Sequence, residues 1–214
     1  MALNIGIIGA GNVGTVLGKG LAMAGHRVLM SSRDPQNAKH RFWKQEVGGN
    51  GDMASFDEAA RFGEIVILAL PWSCLKDVLD TIGPVRLSNK TVIDVSNAVR
   101  FDNGPRLQYD HTSAGEWVQS WLPESHIVKA LNTVSDKRMV QPYFKEGIPA
   151  MFISGNADHA KQQVKTILGD LGWSDIIDLG DIRQSRLQEA VMLACVISEI
   201  RLQLPGAAFA LLKQ

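Results

Sequence analysis

Glycines at a fixed spacing near the start of the chain could hold a phosphate group. The segment Gly9-Ala10-Gly11-Asn12-Val13-Gly14 has the pattern GxGxxG, and it lies between a short apolar run and residues with helical spacing. In this context Gly9 permits a tight turn, Gly11 lets the backbone approach a pyrophosphate, and Gly14 allows the helix to pack closely on the strand. The N-terminus of the helix adds free N–H groups and partial positive charge. The pattern therefore predicts a dinucleotide site.

The end of the second predicted strand indicates which dinucleotide binds. Sites that prefer NAD usually carry Asp or Glu there, whereas this strand ends in Ser31, Ser32 and Arg33. A hydroxyl and a guanidinium can hold a 2′-phosphate by charge-assisted hydrogen bonds, and a carboxylate would repel it. Asp34 is the competing acid, but its position before Pro35 favours the N-cap of a second helix. We therefore expect NADP rather than NAD.

Leu70, Pro71 and Trp72 end the third predicted strand. The carboxyl ends of parallel strands meet at one crevice, so these residues should lie beside the glycine segment. We expect Pro71 to shape the turn next to the cofactor ribose and Trp72 to form a wall of the site. Packing in the core is the other interpretation of Trp72.

The sequence shows no evident catalytic proton donor, so it does not identify a catalytic residue. Reduction of a carbonyl needs a Tyr, His or Lys beside the reacting oxygen. Tyr109 and Tyr143 are the two tyrosines, neither has a lysine four residues on, and His111 and His126 flank predicted loops. Hydride transfer to a flavin or deazaflavin escapes this need, because the negative charge spreads into the ring and backbone N–H groups can stabilise it. The missing acid favours a flavin-like acceptor.

Taken together, residues 9–14, 32–33 and 70–72 resemble the coenzyme F420-dependent NADP oxidoreductase family, whose members pass hydride between NADP and an 8-hydroxy-5-deazaflavin. The cytosolic reductase domains of six-transmembrane ferric reductases are similar too. The resemblance continues through residues 113–116, 129–133 and 185–187 to the closing apolar helix. It implies that Asn12 and Val13 contact the pyrophosphate, and that Ser32 and Arg33 hold the 2′-phosphate.

The resemblance also implies where the second substrate binds. Trp72, Asn132, Thr133 and Val134 would border its pocket, with Pro71 and Trp72 flanking the ribose and nicotinamide. The deazaflavin enzymes tend to have a histidine where this chain has Asn132. The expected acceptor is therefore coenzyme F420 or a flavin of the FMN or FAD type.

Two other functions remain open. An NADPH-dependent imine or hydroxy-acid reductase, of the pyrroline-5-carboxylate reductase or β-hydroxyacid type, would share the N-terminal fold. Those families have long C-terminal helical domains, whereas only residues 182–214 follow Asp181 here. A non-catalytic NADPH-sensing module is the second alternative, and turnover with any acceptor would exclude it.

The elements that must position these residues alternate between strands and helices. Predicted strands cover residues 3–8, 26–30, 65–70, 91–95, 126–131, 150–154 and 174–179, and predicted helices cover 13–24, a stretch from 34, 73–81, 113–122 (opened by a capping box at residues 113–116), 157–171 and 183–202. This alternation predicts an α/β fold of the Rossmann type, with a doubly wound, mostly parallel sheet and helices on both faces. We expect an NADP-binding domain at residues 1–181 and a small C-terminal helical element at residues 182–214.

Composition limits the partners and the compartment. The chain has 214 residues, with 22 Lys and Arg against 22 Asp and Glu, so no overall charge attracts nucleic acid or an anionic membrane. It has no signal-peptide pattern and no long apolar run. Cys74 and Cys195 lie far apart in apolar surroundings, which is typical of a reducing cytosol. We expect a cytoplasmic protein with a small-molecule substrate, no metal, and no nucleic-acid or membrane partner.

The last predicted helix is apolar on more than one face, through Val191, Leu193, Ala194, Val196 and Ile197. One small domain can cover only one such face. The pattern predicts a homodimer formed through this helix.

Overall fold

The computed structural model describes residues 1–212, so the last two residues of the predicted C-terminal element, Lys213 and Gln214, lie outside the described residues. The strands are Asn4–Ile8 (β1), Arg27–Ser31 (β2), Gly51–Ala54 (β3), Ile65–Leu68 (β4), Thr91–Asp94 (β5), Val99–Arg100 (β6), Arg106–Leu107 (β7), His126–Lys129 (β8), Ala150–Gly155 (β9) and Asp175–Asp178 (β10). The α-helices are Asn12–Met23 (α1), Arg41–Val47 (α2), Phe56–Phe62 (α3), Trp72–Ile82 (α4), Ala114–Trp121 (α5), Asp158–Asp170 (α6) and Ser185–Leu202 (α7).

Eight of these strands form one sheet in the order β10-β9-β8-β5-β4-β1-β2-β3, and β6 pairs with β7 in a separate hairpin. The six strands from β8 to β3 are all parallel to one another. The direction reverses once, between β8 and β9, and β10 then runs parallel to β9. The predicted mostly parallel α/β fold is confirmed.

Each central strand buries side chains on both faces, because helices cover both sides of the sheet. Ile65 and Ile67 of β4 belong to one hydrophobic cluster, which α1 and α6 cover, and Val66 and Leu68 belong to a second, which α3, α4 and α5 cover. Strands buried on both faces are near-continuously apolar, as these are. This is the doubly wound arrangement, and it brings the carboxyl ends of β1, β2, β4, β5 and β8 to one edge.

The prediction of a helix that begins at Asp34 and Pro35 is wrong. The Asp34 carboxylate accepts a hydrogen bond from the Gln36 backbone N–H, at 3.2 Å, and so closes a local turn instead of capping a helix. A 3₁₀ turn, Ala38–His40, follows under the cap of Asn37, and α2 begins only at Arg41. The turn keeps residues 33–39 at the end of β2, next to the glycine loop.

The prediction also lacked β3 and α3. The segment Gly51-Asp52-Met53-Ala54 has little intrinsic preference for a strand, and pairing with β2 overrides that preference. Helix α3 carries a sequence signal, since Ser55 and Glu58 form a full capping box. Between Ser113 and Glu116 only half of the predicted box forms: the Ser113 hydroxyl accepts from the Glu116 N–H. The Glu116 carboxylate accepts from the Ser113 hydroxyl and pairs with Arg186.

None of the helices within residues 1–212 combines the length and apolar character needed to cross a bilayer.

Candidate functional site

The GxGxxG segment forms the turn between β1 and α1, and two of its three glycines, Gly9 and Gly14, have a steric reason within the protein. Gly9 has a φ of +120°, and a Cβ there would lie 2.3 Å from the Ala69 carbonyl oxygen. A Cβ on Gly14 would lie 2.0 Å from the Gly9 carbonyl oxygen, so α1 packs directly on the turn. A Cβ on Gly11 would meet nothing within 4 Å. Backbone at Gly11 therefore borders open space.

The N-terminus of α1 is open to an anion. None of the described side chains caps it, and its first turn carries no acidic residue. Its first N–H groups have no partner within the helix, and the helix dipole places partial positive charge there. A phosphate group would satisfy both features.

A cavity of about 480 Å³ opens in front of this turn, between the ends of β1, β2 and β4. It includes seven of the residues predicted to hold the cofactor: Gly9, Gly11, Ser31, Ser32, Arg33, Leu70 and Pro71. Asp34, Asn37, Lys39, Phe56, Cys74 and Val78 complete its lining along with Ala10. We call this the nucleotide cavity.

Two serines at the end of β2 differ in what their hydroxyls can do. Ser31 is buried and donates to the Ile7 carbonyl oxygen at 2.9 Å, so its hydroxyl is used within the sheet. The Ser32 hydroxyl lies 3.1 Å from Nε2 of His40, a buried imidazole. Ser32 is the serine whose hydroxyl remains available to a ligand.

Two cationic side chains at the mouth of the nucleotide cavity form no ion pair with the described residues. Arg33 and Lys39 are exposed, and neither forms an ion pair with any residue in the range 1–212. The nearby Asp34 carboxylate accepts hydrogen bonds from the Gln36 N–H and the Asn37 side-chain amide. The cavity mouth therefore carries free positive charge that suits a phosphate dianion.

A second cavity, of about 710 Å³, adjoins the first and shares Pro71 with it. The rings of Trp72 and Trp121 are stacked in its wall, 5.2 Å apart with 17° between their planes. Tyr109 meets Trp72 edge-on at 6.1 Å. Ser73, Lys76, Asn97, Val99, Phe101, Gln108 and Met192 complete its lining. We call this the aromatic cavity.

The aromatic cavity offers little acid–base chemistry. Among its described lining residues, the titratable side chains are Lys76 and Tyr109. The Lys76 ammonium is held by both carboxylate oxygens of Asp80, at 2.5 and 2.6 Å. The Tyr109 phenol accepts from the Gln108 side chain at 3.2 Å, which leaves its own proton free to be donated. Tyr109 is therefore the one lining group placed to act as an acid.

A buried ion cluster lies behind the aromatic cavity and joins the sheet to α7. The Lys129 ammonium, at the end of β8, lies 2.9 Å from Asp94 of β5 and 3.2 Å from Glu189 of α7, and it also donates to the Ser96 carbonyl. Burial alone would lower the pKa of Lys129, but the two carboxylates beside it raise it. Burial raises the pKa of Glu189, and the Asp94 charge adds to this against the effect of Lys129. The cluster fixes the part of α7 that carries Met192.

Comparisons with known proteins find relatives that match most of this chain. A family model for coenzyme F420-dependent NADP oxidoreductases matches residues 4–98, from β1 to just beyond β5. The F420-dependent NADP reductase of Methanocaldococcus jannaschii is 27% identical over 196 residues, which cover 86% of each chain. The rat metalloreductase STEAP3 is 27% identical over 195 residues, covering 90% of this chain and 37% of its own. This chain thus spans about a third of the length of that metalloreductase.

A crystal structure of a protein from Arthrobacter sp. FB24, provisionally assigned as an F420-dependent NADP reductase, shares the fold throughout. The TM-score is 0.92 at 31% identity, and the match covers 99% of this chain and 100% of the other. The chain belongs to the coenzyme F420-dependent NADP oxidoreductase family. The relatives are NADP-dependent oxidoreductases, so the enzyme class predicted from the sequence is confirmed.

Not every residue predicted for an F420-dependent oxidoreductase site lines a cavity. Asn12, Val13 and Gly14 lie in the first turn of α1, behind the glycines that border the nucleotide cavity. Their contact with a pyrophosphate stays a prediction, which the uncapped helix end supports.

The predicted substrate-pocket residues are mostly behind the aromatic cavity. Trp72 lines it, but Asn132 is buried, donates to the Asn97 side chain at 3.0 Å, and accepts from Gln188 at 3.3 Å. Thr133 is buried with its hydroxyl unpaired among the described residues, and Val134 packs against the core. A role for residues 132–134 in the pocket stays a prediction.

Sequence reasoning missed several site residues of this oxidoreductase. Lys39 lies in the 3₁₀ turn that replaces the predicted helix start, and Trp121 and Met192 come from elements far along the chain. The sequence did indicate the buried cluster, because Asp94 and Lys129 are charged residues at the ends of mainly apolar strands. Such charges are rarely fully buried unless paired.

Proposed function

We propose that this chain transfers hydride between NADPH and a flavin-like acceptor, either coenzyme F420 or a flavin of the FMN or FAD type. The observation that carries the proposal is the pair of cavities that meet at Pro71. One combines an uncapped helix N-terminus with unpaired cations, and the other has a wall of stacked aromatic rings. Donor and acceptor need only be brought face to face for this reaction.

In the nucleotide cavity, each group has a defined task. Gly11 and the N-terminus of α1 would take the pyrophosphate, and Arg33 with Lys39 and the Ser32 hydroxyl would take the 2′-phosphate. Pro71 would lie beside the ribose of the nicotinamide half. NADPH supplies the hydride when it is bound there. The residues orient the nucleotide and do not take part in bond breaking.

In the aromatic cavity, Trp72 and Trp121 would hold a planar ring by stacking. The described lining has no His, Asp or Glu that could serve as a general acid or base. A ring acceptor tolerates this because it spreads the developing charge over its own atoms. The aromatic wall and the shortage of acid–base groups support the same acceptor class.

Tyr109 supports a second candidate, the reduction of a carbonyl or imine. Its phenol borders the aromatic cavity and could protonate an alkoxide or amine. A sensor without catalysis is the third candidate, and any turnover would exclude it.

Loss of NADPH absorbance with a panel of acceptors tests the proposal. The panel contains coenzyme F420, FMN, FAD and riboflavin, with a simple aldehyde, a ketone and a cyclic imine. We expect the highest kcat/KM for a flavin or deazaflavin, and at most about a threefold loss in Tyr109→Phe, since general acid catalysis is not used. A carbonyl or imine with the highest kcat/KM, together with a loss of about 10² or more in Tyr109→Phe, would overturn it.

A further inference from the structure

The hydrogen bond between Ser32 and His40 can run in two directions. The Ser32 hydroxyl lies 3.1 Å from Nε2 of His40, and a single hydrogen occupies the line between them. If the imidazole is neutral at Nε2, the hydroxyl donates its proton to the ring. A hydrogen bond from the ring to the Asp34 backbone favours the neutral imidazole with its hydrogen on Nδ1, so Nε2–H donates to the hydroxyl oxygen when the imidazole is protonated.

The direction decides what Ser32 can offer to an anion in the nucleotide cavity. A hydroxyl that donates to His40 presents only lone pairs to the cavity, and these repel phosphate oxygens. A hydroxyl that accepts from His40 has its own proton free to donate to a phosphate. Good binding of a 2′-phosphate at Ser32 therefore requires the second direction.

Resting on the function proposed above, we propose that His40 is a positioning residue for cofactor choice: it turns the Ser32 hydroxyl toward a 2′-phosphate by taking a proton from solvent. A solvent proton adds to Nε2, which then donates to the Ser32 oxygen. The Ser32 hydroxyl keeps its own proton and donates it in a hydrogen bond to a phosphate oxygen instead of to the imidazole, and no other covalent bond changes. A nucleotide without the 2′-phosphate leaves the direction of the Ser32–His40 hydrogen bond unchanged.

The surroundings of His40 set the resting state. Burial lowers the pKa of His40, Lys39 lowers it further, and the backbone carbonyl and carboxylate of Asp34 oppose this. The lowered pKa of His40 favours the neutral imidazole in the free protein at pH 7. Arg33 borders the same cavity. A phosphate dianion beside Ser32 favours protonation of His40, and by linkage lower pH favours binding of NADPH.

Calorimetric titration in buffers of different ionisation enthalpy measures the proton directly. At pH 7 we expect the binding of NADPH to be linked to the uptake of a fraction of a proton more in the unmodified protein than in His40→Gln. The glutamine amide can donate to Ser32 but cannot titrate. Protonation of the phosphate itself, with a pKa of about 6, is common to both proteins and cancels in the comparison. The binding of NADH should be linked to the same proton uptake in the unmodified protein and in His40→Gln.

The affinity for NADPH should follow the same pattern. From pH 6 to 8 we expect it to fall in the unmodified protein by at most about tenfold per pH unit, as one proton allows. In His40→Gln and Ser32→Ala the affinity for NADPH should fall less over this pH range. At pH 8, His40→Gln should bind NADPH more tightly than Ser32→Ala. If His40→Gln fails to fold, NMR titration of His40 replaces it: NADP should raise its pKa and NAD should not.

The outcomes separate the two proposals. Equal proton uptake and equal pH dependence in the unmodified protein and His40→Gln, or a His40 pKa that NADP leaves unchanged, would overturn this inference while the preference for NADPH stands. A dissociation constant for NADPH no lower than that for NADH in every variant and at every pH would instead overturn the nucleotide part of the proposed function.

Discussion

The indole rings of Trp72 and Trp121 stack with 5.2 Å between their centres and 17° between their planes. Trp72 begins α4 directly after Pro71, and Trp121 ends α5, so the stack joins two helices at the wall of the aromatic cavity. Trp117 extends the row to the surface, 6.2 Å from Trp121. Because stacked rings cover one face of each other, a planar acceptor could lie against a ring face or edge of this row that borders the cavity.

Trp121→Ala should therefore weaken acceptor binding and spare the cofactor. An aromatic pair contributes about 0.5–1.5 kcal/mol beyond its buried area, so KM for the acceptor should rise about two- to thirteenfold. The dissociation constant for NADPH should change less than about twofold on the same scale. Trp117→Ala is the matched control, because Trp117 belongs to the row but not to the cavity lining. Equal effects of the two variants would contradict the stacking role.

Arg33→Ala should reduce the preference for NADPH. We expect NADPH to bind at least about tenfold tighter than NADH, which corresponds to about 1.4 kcal/mol. A hydrogen bond to a charged group contributes about 1.5–3 kcal/mol, so the variant should lose most of that preference. Fluorescence titration with each nucleotide measures it. Arg27→Ala, at the opposite end of β2, is the control and should keep the preference. Equal affinities for NADPH and NADH in the unmodified protein would refute the prediction.

Gly11→Val should abolish nucleotide binding and keep the fold. A side chain at Gly11 meets no protein atom within 4 Å, so it costs little stability, yet it would occupy the space expected for the pyrophosphate. Gly169→Val in α6 also enters open space and should bind NADPH normally. Circular dichroism and nucleotide titration together separate folding from binding. Normal NADPH binding by Gly11→Val would mean that the loop does not hold the pyrophosphate.

Lys129→Met should be strongly destabilising. It leaves Asp94 and Glu189 buried without their cation, and breaking a buried ion pair on one side costs about 3–5 kcal/mol. Lys44→Met removes an exposed ion pair with Asp52 and should cost at most about 1 kcal/mol. Urea denaturation of both variants gives the two free energies of unfolding. Similar losses in the two would show that the buried cluster is not important for stability.

The exposed side of α7 should pair two chains. Leu187, Ile197, Ile200 and Leu202 are all exposed in the single chain. Light scattering at micromolar concentration should give the mass of a dimer, and Ile200→Glu should shift it toward the monomer, because an interface disfavours an unpaired charge. Met23→Glu, at an equally exposed apolar site on α1, should remain dimeric. A monomeric unmodified protein would exclude this interface.

The nucleotide half of the site was predictable because backbone sterics dictate it. Gly9 and Gly14 are required by a positive φ and by close packing of α1, and these constraints show in the sequence as fixed spacing. The ends of β2 and β4 followed from the alternation of strands and helices. Asp34 was misread because a carboxylate before proline can close a local turn as readily as it can cap a helix.

The aromatic half was not predictable in the same way. Trp72, Tyr109, Trp121 and Met192 belong to four separate segments, and no local pattern says that they meet. Asn132 was expected in the pocket, but its amide is used by Asn97 and Gln188, which lie 35 and 56 residues away in the chain. Contacts of that kind depend on tertiary packing, and a single sequence does not reveal them.

The two cavities draw on different stretches of the gene. Within the described chain, the residues that line the nucleotide cavity fall between positions 9 and 78, whereas those of the aromatic cavity extend from position 71 to 192, so the two stretches overlap only from 71 to 78. If the aromatic cavity holds the acceptor as proposed, substitutions in the later half of the chain could change the acceptor and leave nucleotide binding unchanged. An ancestral protein with this layout could diversify its substrates one cavity at a time.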